Sequence, residues 1–202
     1  DEGINEASKT VLVNVYAADY PPTIAGTCTF DANFWYERVT DSSTDDHGIR
    51  QVTVNWGDGT VLASDTSSPF GPFAHYYQNQ GTYTVTHKAI DTIGQVSTRT
   101  CTAVATPFTI AGTVYRSDGV TPIPSAIVTP SYSNVIRTVY TASNGTFSAA
   151  SMRPGNYTVT VTKSGYTFPN PAANVIIGPD ATNLVILANA AAATTKTKVR
   201  NR

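Results

Sequence analysis

Charge is scarce in this chain. Only 13% of its 202 residues are Asp, Glu, Lys or Arg, about half the usual share. The net charge of −1 gives no bias toward nucleic acid, and no such partner is expected. Cysteine is almost absent, with Cys28 and Cys101 alone and no Cys-x-x-Cys pair. That excludes a zinc ribbon or covalent haem attachment within the chain. A structural disulfide of an oxidising compartment is the preferred reading, with two buried free thiols as the alternative. No apolar run approaches the ~20 residues that span a bilayer. No signal peptide is visible, and any export signal is expected to have been removed or to lie upstream in a longer precursor. The chain starts at Asp1, which reads as a processed or cut end. No 3.6-residue amphipathic stretch stands out.

What the chain does have is Thr, Val, Ala, Ser and Tyr, residues that suit a pleated, half-buried surface. Turn signals recur every eight to twelve residues, as in sandwiches. Strands are predicted at 10–16, 23–30, 34–40, 49–56, 83–90 and 96–104, then at 108–115, 125–132, 135–141, 145–150, 156–163, 173–177 and 183–188. In TYTVTHKAI, Tyr83, Val85, His87 and Ala89 share one face. Pro107 marks a boundary without a flexible linker. The expected architecture is all-β, with two tandem sandwiches: an N-terminal strand and linker (1–19), a first module (20–106), a second (107–188) and a basic Ala/Thr/Lys tail (189–202). A tight hinge between the modules implies stiffness.

The charges are unevenly divided. Residues 1–106 hold 12 acids and five bases, a net −7, and residues 107–202 hold two acids and eight bases, a net +6. Four of those bases, Lys196, Lys198, Arg200 and Arg202, lie in the tail. They are either a solvated end or contacts to an acidic surface of a neighbouring subunit. KTVLVNVYAADYPPT reads as a strand and a Pro-Pro linker. Three readings stand for 9–16: the domain's own first strand, the last strand of an upstream module, or a strand completing another subunit's sheet.

VNWGDGT is a β-run that ends at Gly57-Asp58-Gly59. The glycines permit positive φ and Asp58 can accept from nearby backbone N–H groups, so a structured turn beside a buried Trp56 accounts for it. With FAHYYQNQGTYTVTHKAIDTIGQVS, the stretch resembles a PKD (polycystic kidney disease) domain. The matching positions are Trp56 to Thr60, His75, Tyr76, Gly81, Tyr83, Val85, Asp91 and Gly94, and DSSTDDHG (41–48) matches the loop before the family's central strand. The resemblance implies an immunoglobulin-like, extracellular, non-catalytic module. It also implies Cys28 on the first strand and Cys101 on the last, side by side, so that a bridge staples the terminal strands and resists pulling. Such a bridge would differ from the inter-sheet disulfide of antibody domains.

From Thr109, TIAGTVYRSDGVTPIPSAIVTP and VYTASNGTFSAASMRPGNYTVTVTKSGYTF resemble the carboxypeptidase regulatory-like domain, a transthyretin-like (prealbumin-like) sandwich. The residues that carry this are Gly112, Val114, Gly119, Ile123, Ala126, Val128, Thr141, Gly145, Phe147, Pro154, Gly155, Tyr157, Val159, Val161, Gly165 and Tyr166. Tyr157, Val159 and Val161 should point inward. Asp118 and Asp180 are the module's only acids, both in turns, so a carboxylate pair for acid–base work is not expected. No isopeptide is expected at Lys163.

No catalytic residue and no cofactor is predicted. Asp41, Asp45 and Asp46 crowd one loop, where a solvated turn competes with a calcium site needing six to eight oxygens. His47, His75 and His87 lack metal-ligand spacing. The leading functional expectation is a non-catalytic extracellular module that spaces, decorates or joins a surface or filamentous assembly, with protein partners that include copies of itself. Its expected place is secreted or on a bacterial surface. The alternative is a carbohydrate- or protein-binding accessory of a secreted enzyme, with polysaccharide contacted by Trp35, Tyr36, Tyr76 and Tyr77. Against it, Phe34, Trp35 and Tyr36 are consecutive and must alternate faces, which sends part of that set to the core.

Overall fold

The computed structural model describes residues 18–190; the predicted strand at 10–16 and the four tail bases lie outside them. Seven strands build the first module: β1 (Gly26–Asp31), β2 (Tyr36–Asp41), β3 (Ile49–Asn55), β4 (Ala63–Asp65), β5 (Phe73–Tyr76), β6 (Gly81–Asp91) and β7 (Val96–Ala105). They form a β1-β2-β5 sheet and a β4-β3-β6-β7 sheet. The alternation in β6 does what its pattern dictates. Val85, His87, Ala89 and Asp91 are buried and Thr82 and Thr84 are exposed, because one face of the strand meets the opposite sheet. Val39, Val52, Val54, Trp56, Phe73 and Tyr77 close the core between the sheets.

The second module contains β8 (Phe108–Tyr115), β9 (Ile127–Tyr132), β10 (Val135–Ile136), β11 (Val139–Tyr140), β12 (Thr146–Met152), β13 (Gly155–Thr162), β14 (Ala173–Ile177) and β15 (Ala181–Leu187). Its sheets run β10-β9-β13-β14, with β11 also on β9, and β12-β8-β15. β15 lies parallel to β8; the other pairings are antiparallel. Tyr157, Val159 and Val161 are buried as expected, packed with Ile110, Val114, Ile123, Phe147 and Ile186. The chain is thus all-β, two sandwiches in tandem.

Two local expectations are corrected. The single strand at 135–141 is two short pieces. The chain turns at Ser133 (φ 53), pairs Val135 with Tyr132, loops through Arg137-Thr138 and rejoins β9 at Val139. β4 and β5 escaped the sequence reading, since three and four residues are too short to show a period.

Candidate functional site

The Gly-Asp-Gly turn is a packed corner. Gly57 (φ 79) and Gly59 (φ 82) take the left-handed backbone, and a Cβ on Gly57 would sit 2.5 Å from the Thr84 carbonyl oxygen. Asp58 Oδ1 accepts from the Thr60 amide (3.1 Å) and hydroxyl (2.6 Å), and Oδ2 lies 2.7 Å from His75 Nε2. Burial opposes ionisation at Asp58, yet the Thr60 donors and the His75 ring together hold its carboxyl below the ordinary range. The His75 ring stacks on Trp56, with centroids 5.1 Å apart and planes at 14°, and meets Tyr77 edge-on. Asp, His and a hydroxyl are therefore neighbours here. The hydroxyl, though, donates to the carboxylate instead of facing the imidazole, which is the wrong order for nucleophile activation.

The three loop acids do not gather. Asp41 Oδ1 lies 3.0 Å from His87 Nε2, with both side chains almost fully buried, and it accepts from the Ser43 hydroxyl at 2.6 Å. Burial holds the His87 pKa down despite Asp41, so the ring is neutral near pH 7. Asp45 turns instead toward Asp19 and Asp91, and Asp46 toward Asp19 and His47; in each trio one ligand atom per residue lies within 4.8 Å of the others. His47 Nδ1 is 2.8 Å from Asp19 Oδ1, and that hydrogen bond, with the charges of Asp19 and Asp46, raises the His47 pKa. The structure therefore does not bring Asp41, Asp45 and Asp46 together: Asp41 faces His87, and the other two face Asp19. Asp19 and Asp91, which complete the trio with Asp45, were not among the sequence candidates. They lie 26 and 46 residues from Asp45, and only the fold brings them together.

Cys28 and Cys101 are joined, 73 residues apart in sequence. The bridge corrects the expected geometry. β1 pairs with β2 and β7 with β6, so the two strands close one edge of the sandwich from opposite sheets, and the disulfide crosses between sheets. The Arg99 guanidinium donates to the Gly26 carbonyl along the same edge. Behind the bridge stands Glu37, 1% exposed. A carboxylate oxygen of Glu37 is within 4.8 Å of both sulfurs, and Oε2 has no hydrogen-bond partner. Burial pushes its pKa up from 4.5 to about 7.

The four aromatic candidates separate. Trp35 and Tyr77 are core residues, 2% and 3% exposed, which removes them from any binding surface. Their polar atoms are also engaged, Trp35 Nε1 donating to the Thr106 carbonyl (2.8 Å) and Tyr77 Oη to the Trp56 carbonyl (2.9 Å). Tyr36 and the exposed Tyr76 stay on the outer face of the β1-β2-β5 sheet as a tilted pair, with centroids 4.7 Å apart.

The seam between the modules is built from both sides. Only Thr106-Pro107 separate β7 from β8. Phe108 packs against both cores. Arg153 donates to Gln78 Oε1 (2.6 Å) while its guanidinium lies 5.3 Å from the Tyr132 ring centroid. Gly178 (φ 112) touches the Asn33 carbonyl so closely that no Cβ fits. Trp35 itself sits at φ 51, a strained conformation for a bulky residue, held by its bond to Thr106.

An immunoglobulin-like sandwich leading by two residues into a transthyretin-like one makes a tandem of β-modules. Residues 30–104 match the PKD domain and residues 109–196 the carboxypeptidase regulatory-like domain; the chain carries one of each. No curated protein matches the sequence. Among solved structures, the chain is similar to the PKD1 domain of Vibrio anguillarum Epp, with 20% identity, 44% of this chain and 96% of that one covered, and TM-score 0.36. It is also similar to BcpA, the major pilin subunit of Bacillus cereus, with 10% identity, 85% and 71% covered, and TM-score 0.41. A third is GBS52, the minor pilin of Streptococcus agalactiae, with 13% identity, 80% and 89% covered, and TM-score 0.34. At these scores the functional reading rests on the chain's own geometry.

Proposed function

We propose that the chain is a non-catalytic extracellular structural and interaction segment, a stiff pair of sandwiches that spaces, decorates or joins a larger surface or filamentous assembly. The observation that carries this is the seam: a two-residue connection, a shared Phe108 and the Arg153–Gln78 bond, which together favour a rod over a hinge. The inter-sheet disulfide supports an oxidising, extracytoplasmic location. A bacterial surface is the proposed setting. Asp58, His75 and Asp41 support a non-catalytic role, since their side chains are engaged in packing and turn geometry.

The partners are proteins, copies of this chain among them, with the basic second half and tail meeting an acidic first half (+6 against −7). Sedimentation of the full chain and of a chain lacking 189–202, at low and at about 0.5 M salt, tests this. The reading expects association at low salt that is lost with either change. A monomer under every condition refutes self-association.

The Tyr36–Tyr76 pair favours a second reading, a polysaccharide-binding accessory, because exposed aromatic faces can stack on sugar rings. A polysaccharide pull-down comparing the chain with Tyr36→Ala/Tyr76→Ala decides it: selective loss supports the reading, and no retention of the parent chain rejects it.

A further inference from the structure

We propose that the cleft between the two modules is a binding site for one carboxylated sugar residue, of the uronic-acid class. The cleft has a volume of about 270 Å³. The first module gives it Trp35 and the Gln78-Asn79-Gln80 turn, and the second gives it Arg137 and Arg153. Seams between domains are a preferred place for small-ligand sites, and this volume lies just under the range of drug-sized pockets, which suits a single ring. Neither Tyr36 nor Tyr76 lines the cleft, so the site stands whether or not that pair stacks on neutral sugars.

Two arginines here meet no acid. No Asp or Glu lines the cleft, and among the described residues every ion pair joins a histidine to an aspartate. Arg137 is exposed, with its backbone amide fixed to the Pro130 carbonyl (3.0 Å). Arg153 is oriented from two sides. One Nη donates to Gln78 Oε1 at 2.6 Å, and the guanidinium carbon lies 5.3 Å from the Tyr132 ring centroid. Its Nε is buried with no acceptor. A buried donor without an acceptor is uncommon in folded proteins. A carboxylate is the acceptor that the guanidinium fork matches, through two parallel N–H···O bonds.

The walls are held in costly backbone. Trp35 (φ 51) and Ser151 (φ 60), which both line the cleft, take left-handed conformations. Ser151 sits where β12 slips its register against β8, between Ala149 and Met152. Strained residues and bulges gather at binding sites, where the surrounding structure has to hold one geometry.

The neighbouring side chains select the class of anion. Gln78, Asn79 and Gln80 are uncharged amides, and each offers both a donor and an acceptor. Ring hydroxyls use that pairing, and a bare carboxylate does not need it. A protein partner spreads over roughly 800 Å² on each side, whereas this positive charge is confined to one small cleft.

Titration calorimetry of the full chain with trigalacturonate in about 50 mM salt tests the site, with the methyl-esterified trisaccharide as the uncharged control. The expected result is a Kd of about 0.1–1 mM and no heat from the ester. Arg137→Gln should weaken binding at least about tenfold, the loss of one charge-assisted bond, at an unchanged Tm. Arg153→Lys should weaken it too, since an ammonium cannot span both carboxylate oxygens. Arg116→Gln, outside the cleft, and Tyr36→Ala/Tyr76→Ala should bind as the parent does. Absence of heat, equal binding of the ester, or an unchanged Kd in both Arg137→Gln and Arg153→Lys overturns the site. Loss of binding in the tyrosine double variant places the sugar on the outer sheet face and overturns it as well. Equal binding of a hexaglutamate peptide or tighter binding of inorganic phosphate overturns the assignment to a carboxylated sugar.

Discussion

Replacing Cys28 and Cys101 by alanine removes a cross-link between the two sheets of the first module without adding a charge to its core. The bridge closes a loop with a sequence separation of 73. Chain-entropy arithmetic for a loop of that size gives about 15 cal/mol/K, or about 4 kcal/mol at 25 °C. That is a large part of the 5–15 kcal/mol that holds a typical domain folded. The sandwich should remain recognisable, because Val39, Val52, Val54 and Val85 are all 0% exposed in a core that the two cysteines flank. Tryptophan fluorescence makes the assay specific. Both tryptophans, Trp35 and Trp56, belong to the first module, so urea unfolding followed by indole emission reports that module, with Trp35 also sensing the seam at Thr106. The midpoint should fall by about 1.5–3 M, taking about 1.5–2.5 kcal/mol/M for a domain of this size. A loss below about 1 kcal/mol would refute the claim that the bridge holds the edge where β1 and β7 meet.

Glu37 predicts a pH dependence of definite sign. Its folded pKa, about 7, lies above the ordinary 4.5, so the folded chain holds a proton that the unfolded chain releases between those values. Relative to Glu37→Gln, the parent chain should lose stability as pH rises from 4.5 to 7, by about 3 kcal/mol in total, and stay level above that; a pH-independent difference in urea midpoints would contradict the burial argument. The two turn glycines should respond unequally. Gly59→Ala, with open space around its Cβ, should cost about 1–2 kcal/mol for the left-handed backbone alone. Gly57→Ala, facing the Thr84 carbonyl, should cost at least about 1 kcal/mol more, and equal losses by thermal melting would count against the packed-corner reading.

The sequence shows most where one face of a strand is buried and the other is wet. TYTVTHKAI and YTVTVTK alternate because β6 and β13 each face a core, and residues 108–115 and 173–177 coincide with β8 and β14. The strand at 135–141 failed because its break depends on a turn at Ser133 and on how β9 accepts two separate partners. The cysteine pair was legible, but its crossing between sheets was not, since sheet membership is set by hydrogen bonds to β2 and β6 far along the chain. The acids teach the same lesson. Asp41, Asp45 and Asp46 are neighbours in sequence, yet a strand end sends Asp41 to His87 and the loop sends Asp45 to Asp19 and Asp91. Trp35 and Tyr77 were legible as aromatic, though their core roles follow from the seam and the Trp56 corner.

The central claim is that the two sandwiches move as one stiff unit. Amide ¹⁵N relaxation measured on both modules of the intact chain tests it most directly. The account predicts one rotational diffusion tensor that fits β1–β7 and β8–β15 together, and separate, faster tumbling once Arg153→Ala and Phe108→Ala open the seam. Two independent correlation times in the unmodified chain would contradict it.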